Sequence, residues 1–309
     1  KAEQFVVKKE KEVEDARQRV MDRLDQILAR TPKDSADYPE YLFRKALLLE
    51  ERAKFFFNRG MRRDDGPINE DPKERARLEK LKDEDIVASK AARMNTLKVW
   101  AQIYREYPSF QHADQALFNL GGNLTRLGEN KKALKFFTEL IKRFPDSKLV
   151  PDAFLAIGEY YFDANDMATA LKAYERVTFF KESSLYGFSI YKQAWCYYNL
   201  SDYKTSMKRF IEVIRFGERS GLDQNKLDLL NESKREIVLA YSHAATAERA
   251  KDFFPKVVAK DGDKYWDKIE PQLAEIYFSQ GKYKDAVYLY KGLVAKYPGD
   301  AKAVAYQVK

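Results

Sequence analysis

The chain has 309 residues with 56 basic and 48 acidic side chains, a formal net charge of +8, and 45% hydrophobic content. Its single cysteine excludes an intrachain disulfide, and no run of 18 apolar residues is present to cross a bilayer as a helix. The excess charge is modest and the lysines are spread among acidic neighbours, which describes a solvated helical exterior rather than the one-signed stripe of a nucleic-acid binder. Glycine and proline are few, 13 and 10, and fall mostly where helices would end, so an all-helical chain is expected. Lys1 stands where a methionine would begin a gene product, and the chain is read as a mature or trimmed fragment.

Residues 1–31 are predicted as a leading helix. Val6, Val13, Val20 and Ile27 recur every seven residues on it, with Leu24 and Leu28 beside them. Two readings stand. The seam pairs two helices as a coiled coil, although Ala16 and Arg23 fill the companion positions poorly. Alternatively the helix caps the first hairpin and buries the seam there. Residues 32–108 hold a first hairpin. Its first helix carries Leu42, Ala46 and Leu49, its second Thr96 and Trp100, and Pro108 closes it. An insertion at 58–88, rich in charge and carrying Gly60, Gly66, Pro67 and Pro72, separates them. From Pro72 onward it has helical propensity. It is expected to emerge at one edge, either as a solvated loop or as a docking element. The acidic clusters Asp64-Asp65 and Asp83-Glu84-Asp85 are read as solvated charge.

The next stretch, 109–220, divides into three hairpins, and 221–309 into two more plus a C-terminal helix. In residues 114–147 one stripe holds Leu117, Leu120, Gly121 and Leu124, and a second holds Ala133, Phe136, Phe137, Leu140 and Ile141, at amphipathic 3-and-4 spacing. Gly121 and Ala133 are small where the helices cross. Gly128 suits a left-handed helix end, and Pro145 stops the second helix. A small residue followed four positions later by an aromatic one recurs through the chain: Thr96–Trp100, Ala133–Phe137, Ala170–Tyr174, Ser206–Phe210, Ala250–Phe254 and Ala286–Tyr290. The small residues lie 37, 37, 36, 44 and 36 positions apart. A period of this size marks stacked helical hairpins. The unit near 233–262 is short, and the wide gap before it is filled by a turn running from Phe216 to Asp223.

These units resemble the tetratricopeptide repeat. Leu117-x2-Leu120-Gly121-x2-Leu124, Ala133-x3-Phe137 and Pro145 follow its pattern, as do Phe154-x2-Ile157-Gly158-x2-Tyr161 with Ala170-x3-Tyr174, and Leu273-Ala274-x2-Tyr277 with Ala286-x3-Tyr290 and Pro298. The resemblance implies a right-handed α-solenoid of stacked antiparallel hairpins, and a non-enzymatic scaffold that binds other proteins. The inter-repeat link from Pro145 to Ala153 is similar in style to repeat proteins of the bacterial cell envelope, namely Tol-Pal-associated, outer-membrane-assembly and gliding-motility proteins. That implies the periplasm or the periplasmic face of the outer membrane, and envelope subunits as partners, with a cytosolic adaptor or a self-associating structural subunit as rival readings.

The resemblance places the first helix of each hairpin along a concave face, which would present Phe118, Arg126, Phe162, Phe188, Tyr191, Trp195, Tyr198 and Phe278. The Lys/Asn/Arg clamp by which some relatives hold a peptide carboxylate is missing at the matching positions, which hold Phe118, Gly122, Asp152, Ala156 and Tyr191. An aromatic strip takes its place, divided between groove and core. Trp and Tyr are frequent interface anchors. His112 and His243 lack zinc-site spacing and are read as structural or surface residues, and Cys196 as a buried small residue. No phosphate loop, dinucleotide fingerprint or nucleophile elbow is present, so no catalytic residue, metal site or cofactor is assigned, and the oligomeric state stays open.

Overall fold

A computed structural model of the chain describes residues 2–64, 71–219 and 224–298. The predicted C-terminal helix, the tip of the insertion at 65–70 and the end of the predicted turn at 220–223 lie outside the described residues. Every regular element among the described residues is helical. The chain divides into two compact units, Lys1–Ala153 and Phe154–Lys309. Each is a run of antiparallel helix hairpins, the all-α solenoid architecture that the periodicity predicts.

In the first unit, α1 (Ala2–Arg30) leads into α2 (Asp37–Asp64) and α3 (Pro72–Glu106). Helix α3 starts where the sequence says it should: the Asp71 side chain accepts from Lys73 N–H, and Pro72 occupies the first turn. Most of residues 58–88 therefore does not leave the hairpin as a loop. It lengthens both arms, to 28 and 35 residues. The arms adhere through polar contacts. Arg59 Nε donates to Asp85 Oδ1 at 3.0 Å, and Ser89 Oγ donates to Ala53 O at 2.8 Å. Asp85, read from the sequence as solvated charge, is buried with Arg59 laid over it. At the hairpin's base, Tyr38, Leu42, Phe43 and Ala46 close on Trp100, Ile103, Ala116 and Leu120. His112 stacks on Phe43 there, ring centres 4.7 Å apart.

Helix α1 runs antiparallel to α2, with Glu10, Glu14 and Asp25 paired to Arg62, Arg52 and Lys45. It docks through Met21, Leu24 and the half-buried Leu28. The heptad seam is not what docks. Val6, Val13, Val20 and Ile27 are 49%, 53%, 47% and 40% exposed. The helix covers the first hairpin, as one reading required, but through a different face.

Helices α4 (Ala113–Arg126) and α5 (Asn130–Arg143) form the next hairpin. The crossing is as tight as expected, since the Phe137 ring fills the place of a Gly121 side chain. Helix α6 (Val150–Asp163) follows, and with α7 (Met167–Val177) repeats the device in the second unit: Tyr174 lies over Gly158. Then come α8 (Tyr186–Asn199), α9 (Tyr203–Arg219) and α10 (Gln224–Ala244). Here the predicted turn differs. Phe216 to Arg219 stay helical, because Gly217 lets Leu230 of α10 approach, a contact that a side chain would crowd at 3.0 Å. The fifth unit's second helix shrinks to α11 (Ala250–Phe253), flanked by single 3-10 turns. Pro255 follows Phe254 at once and removes the next helical donor. Ala250 and Phe254 are nonetheless fully buried, so the small–aromatic pair outlasts the helix that normally carries it. Helices α12 (Gly262–Ser279) and α13 (Tyr283–Lys296) complete the described chain.

One turn recurs. Gly128, Asn165, Ser201 and Gly281 all have positive φ, between 60° and 79°. In each case the next residue's N–H reaches back to a carbonyl five residues earlier: Glu129 to Leu124, Asp166 to Tyr161, Asp202 to Tyr197 and Lys282 to Tyr277. This is the Schellman closure of a helix end. In two turns the same residue caps the following helix, with Asp166 accepting from Thr169 N–H and Asp202 from Thr205 N–H.

Candidate protein-binding surface

Helix α8 carries two faces. Ile190, Ala194 and Cys196 are fully buried. Phe188, Tyr191, Trp195 and Tyr198, spaced three, four and three apart, fall on one side. Their rings run in a chain, with centres 6.2, 6.5 and 5.3 Å apart. Tyr191 and Trp195 also rest edge-on against the buried Phe210 of α9, at 5.9 and 5.8 Å. One side of the strip is thus core, and the other is only half covered: Phe188 is 37% exposed, and Tyr191, Trp195 and Tyr198 are half-buried.

The chain of rings continues onto neighbouring helices. Tyr203 meets Tyr198 at 5.4 Å and stacks flat on His243 of α10 at 4.4 Å. His243 Nε2 lies 3.3 Å from both Tyr198 Oη and Gln280 Nε2, which fixes the ring's orientation. Partial desolvation, reinforced by the Lys282 ammonium, holds the His243 imidazole below its ordinary pKa, so it favours the neutral ring. At the other end, Lys192 Nζ sits 4.0 Å from the Phe162 ring centre and 3.1 Å from Glu159 Oε1. Glu236 flanks the middle. Burial, with Glu232 adding to it and Arg235 opposing it, raises its carboxyl above the usual range.

The structure therefore gathers Phe162, Phe188, Tyr191, Trp195 and Tyr198. Phe118 and Arg126 belong to the first unit. There Phe118 rests on Phe137 at 5.7 Å, and Arg126 approaches the Glu50 carboxylate at 3.9 Å. Phe278 has Tyr283 as its ring partner, at 5.6 Å. Lys192, Tyr203, His243 and Gln280 join the surface without having been singled out for it. The period marks the small–aromatic pairs but carries no signal for residues that meet only when α8, α9, α10 and α12 stack. Cys196, behind the strip, is fully buried, and desolvation pushes its thiol up to about 12. That gives it the protonated, unreactive character of a packing residue. Among the described residues no group of three or more His, Cys, Asp or Glu side chains is placed to hold a metal ion, and no helix is long and apolar enough to cross a membrane.

Helix hairpins in series, joined by a repeated turn and presenting half-covered aromatic rings, define a helical-repeat protein. Two of its segments, residues 115–147 and 272–300, match a family's sequence model, described as "Tetratricopeptide repeat". No curated protein matches the chain. Among solved structures, it is similar to a tetratricopeptide repeat protein from Parabacteroides merdae, with 14% identity over 83% of this chain and 84% of that one, and a TM-score of 0.43.

Proposed function

We propose that this chain is a non-enzymatic scaffold of a bacterial envelope complex, and that the face of α8 takes a segment of a partner protein. Tetratricopeptide repeats are protein-binding modules, and the strip supplies the apolar anchors such a module needs. The observation that carries the reading is the continuous strip of four rings, the exposed Phe188 and the half-buried Tyr191, Trp195 and Tyr198. The inner edges of Tyr191 and Trp195 are held by Phe210, so these two lose little rotamer entropy on binding. The Lys192–Glu159 pair at one end, and Glu236 along the middle, would set register by charge. The envelope assignment rests on the style of the Pro145–Ala153 link.

A photo-crosslinking amino acid in place of Phe188 tests both halves. Expression in the native host should give a crosslink to an envelope protein, and the double change Trp195→Ala, Tyr198→Ala should abolish it while leaving the far-ultraviolet circular dichroism spectrum intact. A crosslink to a cytoplasmic protein would make the chain a cytosolic adaptor. Loss of the helical spectrum would make the strip core.

A further inference from the structure

We propose that the exposed seam of α1 is a self-association surface, and that it pairs antiparallel with α1 of a second copy across a two-fold axis near Ala16. Four aliphatic side chains, Val6, Val13, Val20 and Ile27, stand in line on successive pairs of turns, and Phe5 stands beside the first of them at 62% exposure. The seam is not surplus docking surface, because the face toward α2 is already occupied by Met21, Leu24 and Leu28 and its flanking ion pairs. A seven-residue aliphatic repeat is the pattern of a two-helix seam. An isolated helix has no use for it.

The flanking charges select the orientation. Glu12 and Arg19 lie one residue before Val13 and Val20, and both are exposed. If two α1 helices run antiparallel with the two-fold axis between Ala16 and Arg17, then Val13 meets Val20 of the other copy and Val6 meets its Ile27. Glu12 of each copy then meets Arg19 of the other. The pairing is closed and self-complementary, as a two-fold interface requires. A parallel pair would instead bring the flank of Glu12 to the flank of Arg17 and Leu24. Those residues are engaged within the chain, Arg17 with Glu14 and over the Phe55 ring, Leu24 in the contact with α2. Ala16, exposed and small, is where the axes can approach most closely. Lys9 and Arg23 oppose one another in this register and weaken the dimer. Lys9 is partly neutralised by Glu12, 2.7 Å away, and both long stems can carry their charges outward. The expected dissociation constant is on the order of micromolar, since four aliphatic layers offset by like charges leave little beyond the cost of association.

The test is made on the full chain. Sedimentation velocity should show a dimer that Val13→Glu with Val20→Glu abolishes. Those side chains face water in the monomer, so its helical spectrum should not change. Glu12→Arg should weaken the dimer roughly tenfold, and adding Arg19→Glu should restore it. With Cys196 buried, Ala16→Cys should form an intermolecular disulfide under mild oxidation. Val6→Cys should not, because antiparallel helices hold those two positions about 30 Å apart at 1.5 Å per residue. A monomer at all accessible concentrations, a dimer indifferent to Val13→Glu with Val20→Glu, or a Val6→Cys disulfide in place of the Ala16→Cys one would each overturn the proposal.

Discussion

Gly158 has no room for a methyl group. A Cβ there would lie 2.5 Å from the Tyr174 ring, and Tyr174 cannot retreat, because it is fully buried and its hydroxyl donates to Glu159 Oε1 at 2.6 Å. Gly158→Ala should therefore cost about 1–3 kcal/mol, the range for overpacking a filled core, and lower the melting temperature by several degrees in calorimetry. Tyr174→Phe keeps the ring and removes only the hydroxyl bond, so its cost should be nearer 1 kcal/mol. If the two variants melt together, the crossing is looser than the distance implies. Trp195 and Tyr198 differ in kind from Tyr174: their rings lean on the core without being enclosed by it.

At the scale of the element, the recurring turn and the long first hairpin carry the argument. Gly128 closes α4 with φ at 79°, and Ser201 closes α8 with φ at 61°. A side chain in that region costs about 1–2 kcal/mol, so Gly128→Ala should destabilise by roughly that amount. Ser201→Gly should do the opposite and stabilise by a few tenths to about 1 kcal/mol. Urea denaturation of the two variants reads both signs, and a shift in the same direction for both would contradict the shared geometry. In the long hairpin, Arg59→Ala removes the guanidinium lying over the buried Asp85. Losing a charge-assisted bond of this kind costs about 2 kcal/mol, and hydrogen exchange should show it as faster opening of the α2 and α3 arms, with the base around Trp100 still protected.

For the molecule as a whole, the distribution of buried acids predicts where it fails first. The phenols of Tyr174, Tyr241, Tyr265 and Tyr277 are all raised by burial, Tyr241 to about 12, and the Cys196 thiol is likewise pushed up to about 12. All five belong to the second unit. Because the folded state holds these protons longer than the unfolded chain does, the unfolded chain binds fewer protons once pH passes the ordinary thiol and phenol values, about 8.5 and 10. Stability is then complete below about pH 8.5 and falls as pH rises toward 12. In the first unit the raised phenols, Tyr104 and Tyr107, are only half-buried and stay close to water. Limited proteolysis between pH 8 and pH 11 should therefore cut within residues 154–309 first. First cuts before residue 154 would count against this reading.

The sequence by itself determined the hairpin repeat. The period of the small–aromatic pairs is a property of the chain alone, and the steric fit of Phe137 on Gly121 and Tyr174 on Gly158 follows from helix geometry once that period is read. It also announced the start of α3 at Pro72 and the left-handed end at Gly128, because a helix's first turn and a positive φ depend on local chemistry. What it left open depended on which face of a helix another helix covers. The seam of α1 could equally have been buried or exposed, since periodicity names a stripe without naming its neighbour. Asp85 read as solvated until Arg59, 26 residues away, was placed over it. Tyr203, His243 and Gln280 reach the α8 strip only through the stacking of separate helices. Only the tertiary structure decides such contacts, because they are set by long-range packing, for which no local pattern in the chain is a sufficient cause.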